Sequence, residues 1–218
     1  MTYYAINGSP RKTHNTATIL NKALEGVKAA DPLAQTELIH LYGLNYSGCV
    51  SCFECKRLGG KSYGKCAVRD DLTPLLEHLA EADGIIFGSP VYFHSITGKM
   101  RMFFERLLFQ YFVYDTHYSS LAPKRMPTAF VYTMNVPYEV MIADHYLESF
   151  QNMESFIGKI FGKPETLYVN DTYQFSDYSK YKVECFSEAD KARHREQQFP
   201  IDCRKAFELG MSLAGRDC

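Results

Sequence analysis

Ile6-Asn7-Gly8-Ser9-Pro10-Arg11-Lys12-Thr13-His14-Asn15-Thr16 is the stretch on which the reading of the chain turns. Before it, Tyr3 to Ile6 are aromatic or aliphatic, as a buried strand requires. After it, Ala17, Leu20, Leu24 and Val27 recur at helical spacing. The stretch therefore joins the carboxyl end of a strand to the amino end of a helix. Such a junction collects unpaired backbone N–H groups and the positive end of a helix dipole, and both favour an anion, a phosphate above all. Ser9, Thr13, Asn15 and Thr16 add short polar groups, Gly8 eases the turn, and Arg11 offers a charged fork suited to phosphate oxygens. The Gly-Lys-Ser/Thr ending of a Walker loop and the three-glycine dinucleotide fingerprint are both absent. Two readings stand: a phosphate cradle, or turn and N-cap residues that serve only the helix.

Working outward, Asp31-Pro32 closes the first helix and Thr36 to Leu41 reads as a second strand, so strand, helix and strand begin a right-handed crossover. Asp70-Asp71 places an N-cap before a helix whose buried face is Leu72, Leu75, Leu76 and Leu79. Ile85-Ile86-Phe87-Gly88 is a continuous apolar strand, as in a parallel sheet covered on both faces. It runs into Ser89-Pro90-Val91-Tyr92-Phe93-His94-Ser95, a second loop at a strand's carboxyl end. Gly98 to Phe109 is a helix with Met102, Phe103, Leu107 and Leu108 inward, and Lys99, Arg101 and Arg106 on a solvated face.

Pro127 to Thr133 is a fourth strand, followed by a third such loop at Met134 to Pro137. Tyr138 to Phe161 reads as one helix, Thr166 to Val169 as a short last strand, and Ala189 to Ala214 as a terminal helix with a break at Pro200. The aromatic segment Phe109 to Met126 either roofs a ligand pocket or packs against a second subunit, with the interface preferred. Asn170 to Phe186 reads as an arm over the body or a partner. Alternating strands and helices define a doubly wound α/β sheet, in which ligands sit outside the carboxyl ends of the strands where the strand order reverses. The Ser9 and Tyr92 loops are thus expected to face one ligand.

With 218 residues and no break in composition, one domain is expected over 1–218, carrying a cysteine-rich loop at 45–70 and a C-terminal arm and helix at 170–218. A formal net charge of −1 argues against nucleic acid or an anionic membrane as partner. No apolar run approaches a membrane span, and the first strand begins too early to leave room for a signal peptide, so a cytoplasmic protein is expected.

The cysteines then call for a reading suited to a reducing compartment. Cys49, Cys52 and Cys55 follow one another at two-residue intervals, with Cys66 ten residues further on. Thiolates so spaced can hold an iron–sulfur cluster; a four-sulfur zinc site and a loop of reduced, oxidant-sensitive thiols are the alternatives. Cys185, Cys203 and Cys218 lack this spacing and read as structural or incidental. His14, His94 and His117 lie near the expected site, yet none has a Ser or Cys nucleophile and an acidic orienter assigned to it, and no Gly-x-Ser-x-Gly elbow occurs, so a hydrolase is not supported. No catalytic acid or base is assigned; Tyr92 and His94 are near enough to be tested.

Asn7-Gly8-Ser9-Pro10-Arg11-Lys12 with Asn15-Thr16, together with Asp83-Gly84-Ile85-Ile86-Phe87-Gly88-Ser89-Pro90-Val91-Tyr92-Phe93, resembles the flavodoxin-like NADPH-dependent FMN reductase family. The cysteine loop between the second strand and second helix resembles its iron–sulfur flavoprotein branch, although the fourth cysteine comes later here than in that branch. The resemblance implies a flavodoxin-like, doubly wound, five-stranded parallel sheet in the order 2-1-3-4-5 with helices on both faces. It implies an FMN phosphate held by Ser9, Arg11, Asn15 and Thr16, with close backbone contact at Pro10 and Ala17. Pro90, Val91, Tyr92 and Phe93 would line the flavin ring, and Thr133 to Asn135 would close the third side. It also implies a [4Fe-4S] cluster at Cys49, Cys52, Cys55 and Cys66.

The activity so implied is NAD(P)H oxidation through FMN to a small acceptor such as a quinone or free flavin, in a homodimer or homotetramer. The alternatives are an electron carrier working through the cluster and a flavin-binding thiol redox sensor.

Overall fold

The computed structural model describes residues 1–215; Cys218 lies outside the described residues. Five parallel strands form the sheet path β2-β1-β3-β5-β6: β1 is Thr2–Asn7, β2 Gln35–His40, β3 Gly84–Tyr92, β5 Thr128–Thr133 and β6 Glu165–Val169. This is the expected order. A sixth strand, the two-residue β4 at Ser95–Ile96, folds back antiparallel on the end of β3. The reversal between β1 and β3 puts the Ser9 loop beside the end of β3.

Strand alternation sorts the core into two layers. Tyr3, Ala5, Ile86, Ala129 and Val131 face helices α1 (Asn15–Ala30) and α7 (Phe199–Ala214). Tyr4, Ile6, Ile85, Phe87 and Phe130 face α2 (Leu72–Ala80), α3 (Gly98–Phe109) and α5 (Tyr146–Ile160). On the first face α1 and α7 approach each other closely through glycine: a Cβ on Gly26 of α1 would overlap the Phe207 carbonyl, and one on Gly210 of α7 the Ala23 carbonyl. The second face is an aromatic stack, with Phe130 and Tyr132 at 4.1 Å and Tyr132 and Phe150 at 4.1 Å.

Three expectations need correction. Residues 138–161 form two helices, α4 (Tyr138–Ala143) and α5, separated at His145, whose φ of 56° lies in the left-handed region. The terminal helix does break as expected, into α6 (Glu188–Gln197) and α7, parted at Gln198 just ahead of Pro200. Arg106 does not sit on a solvated face of α3: it is 2% exposed, because the 45–70 loop wraps over it. The aromatic segment 109–126 does not roof the cavity described below; it packs near the cysteine loop, with Tyr111, Leu121 and Pro123 lining a separate cavity beside Cys66. No helix among the described residues is long and apolar enough to cross a membrane.

Candidate functional site

The loop after β1 is fixed from three sides. Asn7, fully buried, accepts from the Ser9 N–H at 2.9 Å and donates to His40 Nδ1 at 2.8 Å. The Gly8 N–H donates to the Gly88 carbonyl at 2.8 Å, and its own carbonyl accepts from Thr97 Oγ1 at 2.8 Å. A Cβ on Gly8 would lie 3.0 Å from Met100, so the close approach of loop and α3 admits little else. The Thr16 and Thr133 hydroxyls meet at 2.7 Å, stitching the start of α1 to the end of β5.

These constraints hold open a cavity of about 260 Å³ at the carboxyl edge of the sheet. Its walls are Ser9, Pro10, Arg11, His14, Asn15 and Thr16 from the first loop, Pro90, Val91 and Tyr92 from the second, and Thr133, Met134 and Asn135 from the third. Thr172, Gln174 and Phe175 close it from the arm. Two expected residues are not brought in. Ala17 is turned into the core against the sheet, and Phe93 stands fully exposed at the tip of the β3–β4 hairpin.

The chemistry of the walls is uneven. In one wall α1 begins with no capping side chain and no acidic residue in its first turn, so its dipole and amides are left to an anion, beside Arg11. Burial lowers the His14 pKa, and the charges of Arg11 and Arg195 lower it further, which favours a neutral imidazole there. Asn135 Oδ1, also in the wall, is buried without a hydrogen-bond partner, an acceptor left for a donor on a ligand. The β3–β4 hairpin turns through Phe93 and His94, with φ of 50° and 61°. Both centres of the turn are left-handed, a backbone that two bulky residues adopt at a cost of about 1–3 kcal/mol each. His94 stacks on Tyr146 at 4.0 Å.

The arm residues had no local signal, because irregular sequence carries no period. Their positions are set by long-range anchors. Lys191, buried on α6, donates to the Asn135 carbonyl and pairs with Asp171, and Thr172 Oγ1 donates to the Met134 carbonyl at 3.1 Å.

A second candidate site lies in the cysteine loop. Cys49, Cys52, Cys55 and Cys66 line one cavity of only about 20 Å³. Burial raises the Cys55 pKa; Lys56 opposes this, and the other three thiols add to it. All five N–H groups of Arg106 are used: Nε donates to Cys66 Sγ at 2.9 Å, and the terminal nitrogens to the Ser47 and Val68 carbonyls and both Asp70 oxygens. One guanidinium thus fastens both ends of the loop to α3. Among the described residues, no three or more His, Cys, Asp or Glu side chains are gathered tightly enough to hold a metal ion.

Parallel strands in this order, with a polar loop at the reversal and a cavity along the carboxyl edge, define a flavodoxin-like α/β protein. The chain belongs to the NADPH-dependent FMN reductase family, whose sequence model matches residues 1–164. It is similar to an iron–sulfur flavoprotein of Methanocaldococcus jannaschii, 37% identical over 106 residues that make up 49% of this chain and 51% of the relative. An iron–sulfur flavoprotein of Archaeoglobus fulgidus is 36% identical over 106 residues, 49% of this chain and 48% of that protein. The chain thus spans about half the length of the curated relatives it matches. In fold it is similar to the NAD(P)H:quinone oxidoreductase from Methanothermobacter marburgensis, with a TM-score of 0.71 and 15% identity over 100% of this chain and 99% of that one. An FMN-dependent NADH-azoreductase from Bacillus anthracis, solved with FMN, gives a TM-score of 0.67 and 12% identity over 99% and 100%.

Proposed function

We propose that this protein is an FMN-dependent NAD(P)H oxidoreductase that passes reducing equivalents from a nicotinamide to a small acceptor such as a quinone or free flavin. The observation that carries the reading is the make-up of the carboxyl-edge cavity, whose walls hold both an uncapped helix start beside Arg11 and the unpartnered Asn135 oxygen. A phosphate suits the helix start, and a ligand N–H suits the Asn135 oxygen. Ser9, Arg11, Asn15 and Thr16 would hold the phosphate. Pro90, Val91 and Tyr92 would line the ring, with Thr133 and Asn135 closing the third side. FMN, when bound, supplies the hydride acceptance and electron transfer, while the protein binds, orients and shields it. The free thiols suit the cytoplasm, and the apolar groove between α3 and α5, about 300 Å³ and lined by Phe104, Leu108, Phe112, Met153 and Phe156, suits a homodimer or homotetramer.

A second reading, an electron carrier with a [4Fe-4S] cluster, is favoured by one observation: all four spaced cysteines line the same small cavity, with Arg106 bonded to one of them. The donor set is that of a thiolate-held cluster. The cavity is too small as it stands, so loading requires the 45–70 loop to open.

Anaerobic purification followed by assay of FMN, iron and acid-labile sulfide, with steady-state NADH and NADPH oxidation, tests both. FMN with nicotinamide turnover and little iron supports the reductase. FMN with about four irons and four sulfides per chain and poor turnover supports the carrier. A protein that binds no FMN after reconstitution overturns both readings.

A further inference from the structure

The side chains best placed for a phosphate are tied to the chain's last quarter. Arg11 Nη1 donates to the Gln174 carbonyl at 2.6 Å and Asn15 Nδ2 to the Tyr173 carbonyl at 2.9 Å. Asn15 Oδ1 accepts from Arg195 Nη1 at 2.8 Å. Arg195 belongs to α6, outside residues 1–164 that match the family. Its guanidinium lies 3.6 Å from the centre of the Phe199 ring, which fixes its plane. The arm cannot drift from the cavity wall, because Lys191 holds the Asn135 carbonyl and Asp171 together.

The two ends of a carboxamide differ: one accepts, the other donates. With Oδ1 bound to a cation and one N–H of Nδ2 on the Tyr173 carbonyl, the Asn15 amide is locked in orientation and keeps its second N–H as a donor, the polarity an anion needs. The fall in the His14 pKa has burial as its first cause and the Arg11 and Arg195 charges as the next, so both guanidiniums act on the same point at the start of α1.

We propose that Arg195 is a positioning residue of the flavin phosphate subsite: it fixes the Asn15 amide as a donor and adds a second positive charge beside Arg11. The proposal rests on the FMN reading above. It makes α6 part of the cofactor site, and it makes the arm a selector for the phosphate monoester FMN over riboflavin, which lacks that group.

The test compares wild type, Arg195→Lys and Arg195→Met in binding FMN and riboflavin, read by quenching of flavin fluorescence at low and high salt, with near-ultraviolet circular dichroism to verify folding. Loss of a charge-assisted contact predicts about 10- to 100-fold weaker FMN binding by Arg195→Met. Riboflavin binding should be unchanged, the salt dependence of FMN binding flatter, and the Lys variant intermediate. Should the Met variant fail to fold, Arg195→Gln, which keeps a donor for Asn15 without the charge, serves in its place. Equal weakening of FMN and riboflavin, or no weakening of FMN, overturns the role of Arg195. Wild type that binds riboflavin as tightly as FMN overturns the phosphate reading of the Ser9 loop itself, a separate result.

Discussion

Replacing Arg106 with methionine keeps much of the side-chain volume and removes all five hydrogen bonds. It takes the charged partner from the Asp70 carboxylate, leaving it only backbone N–H donors, and strands Cys66 Sγ and the Ser47 and Val68 carbonyls under the loop. The Arg106 side chain is 1% exposed and that of Asp70 17%, so this is a nearly dry pair with some solvent on the acid. Removing one partner of a buried pair costs about 3–5 kcal/mol, and the partial exposure of Asp70 points to the lower end, about 3 kcal/mol. At about 2–4 °C per kcal/mol for a chain of this size, Tm should fall by about 6–12 °C.

The pH dependence has a sign. Burial alone would push the Asp70 carboxyl up, but the Arg106 bond and charge, with the Leu72 and Ser47 N–H groups, outweigh it and hold its pKa below the ordinary value. A depressed carboxyl contributes stability above its unfolded pKa, near ~3.9, and loses that contribution as pH falls through the folded value. Urea unfolding from neutral pH into the acid range should therefore show a smaller acid-induced loss in Arg106→Met than in wild type. Hydrogen exchange should show the opening concentrated in residues 45–70. A cost below about 1 kcal/mol, or an acid profile identical to wild type, would refute the claim that this pair fastens the loop.

Other consequences are as direct. Gly210→Ala places a methyl against the Ala23 carbonyl at the contact of α1 and α7; backbone must move, and thermal unfolding should show a loss of about 1–3 kcal/mol or more. Phe93→Gly relieves a left-handed residue whose ring is fully exposed; Tm should hold or rise, by up to about 1 kcal/mol in stability, while a higher KM for nicotinamide would mark the ring as a substrate platform. A fall in Tm would show that Phe93 packs in some unseen way. Thr133→Val leaves the buried Thr16 hydroxyl without its 2.7 Å partner; a loss of about 1–3 kcal/mol is expected, together with weaker FMN binding, and unchanged FMN affinity would separate this bond from the cofactor site.

Much of the fold was legible because its signals are local. Leu72, Leu75, Leu76 and Leu79 at helical spacing, and Ile85 to Phe87 without interruption, report burial through periods of three to four residues or none. The same rule misread Arg106, since a charge on the outer face of a helix means solvent only when no other segment covers it. The break at His145 also escaped, with neither glycine nor proline to mark the left-handed turn. The two-residue β4 is too short to have a period at all.

The sequence by itself determined the parallel sheet, its strand order through the family resemblance, and the three polar loops at one edge. These follow from hydrophobic period, turn chemistry and the handedness of crossovers, all of which act within a few tens of residues. Only the tertiary structure decided that Gln174 and Phe175 wall the cavity, that Arg195 reaches Asn15, and that four cysteines surround one small space. These contacts join positions as far apart as 180 residues, and no local pattern encodes a meeting whose partners are chosen by how whole layers pack.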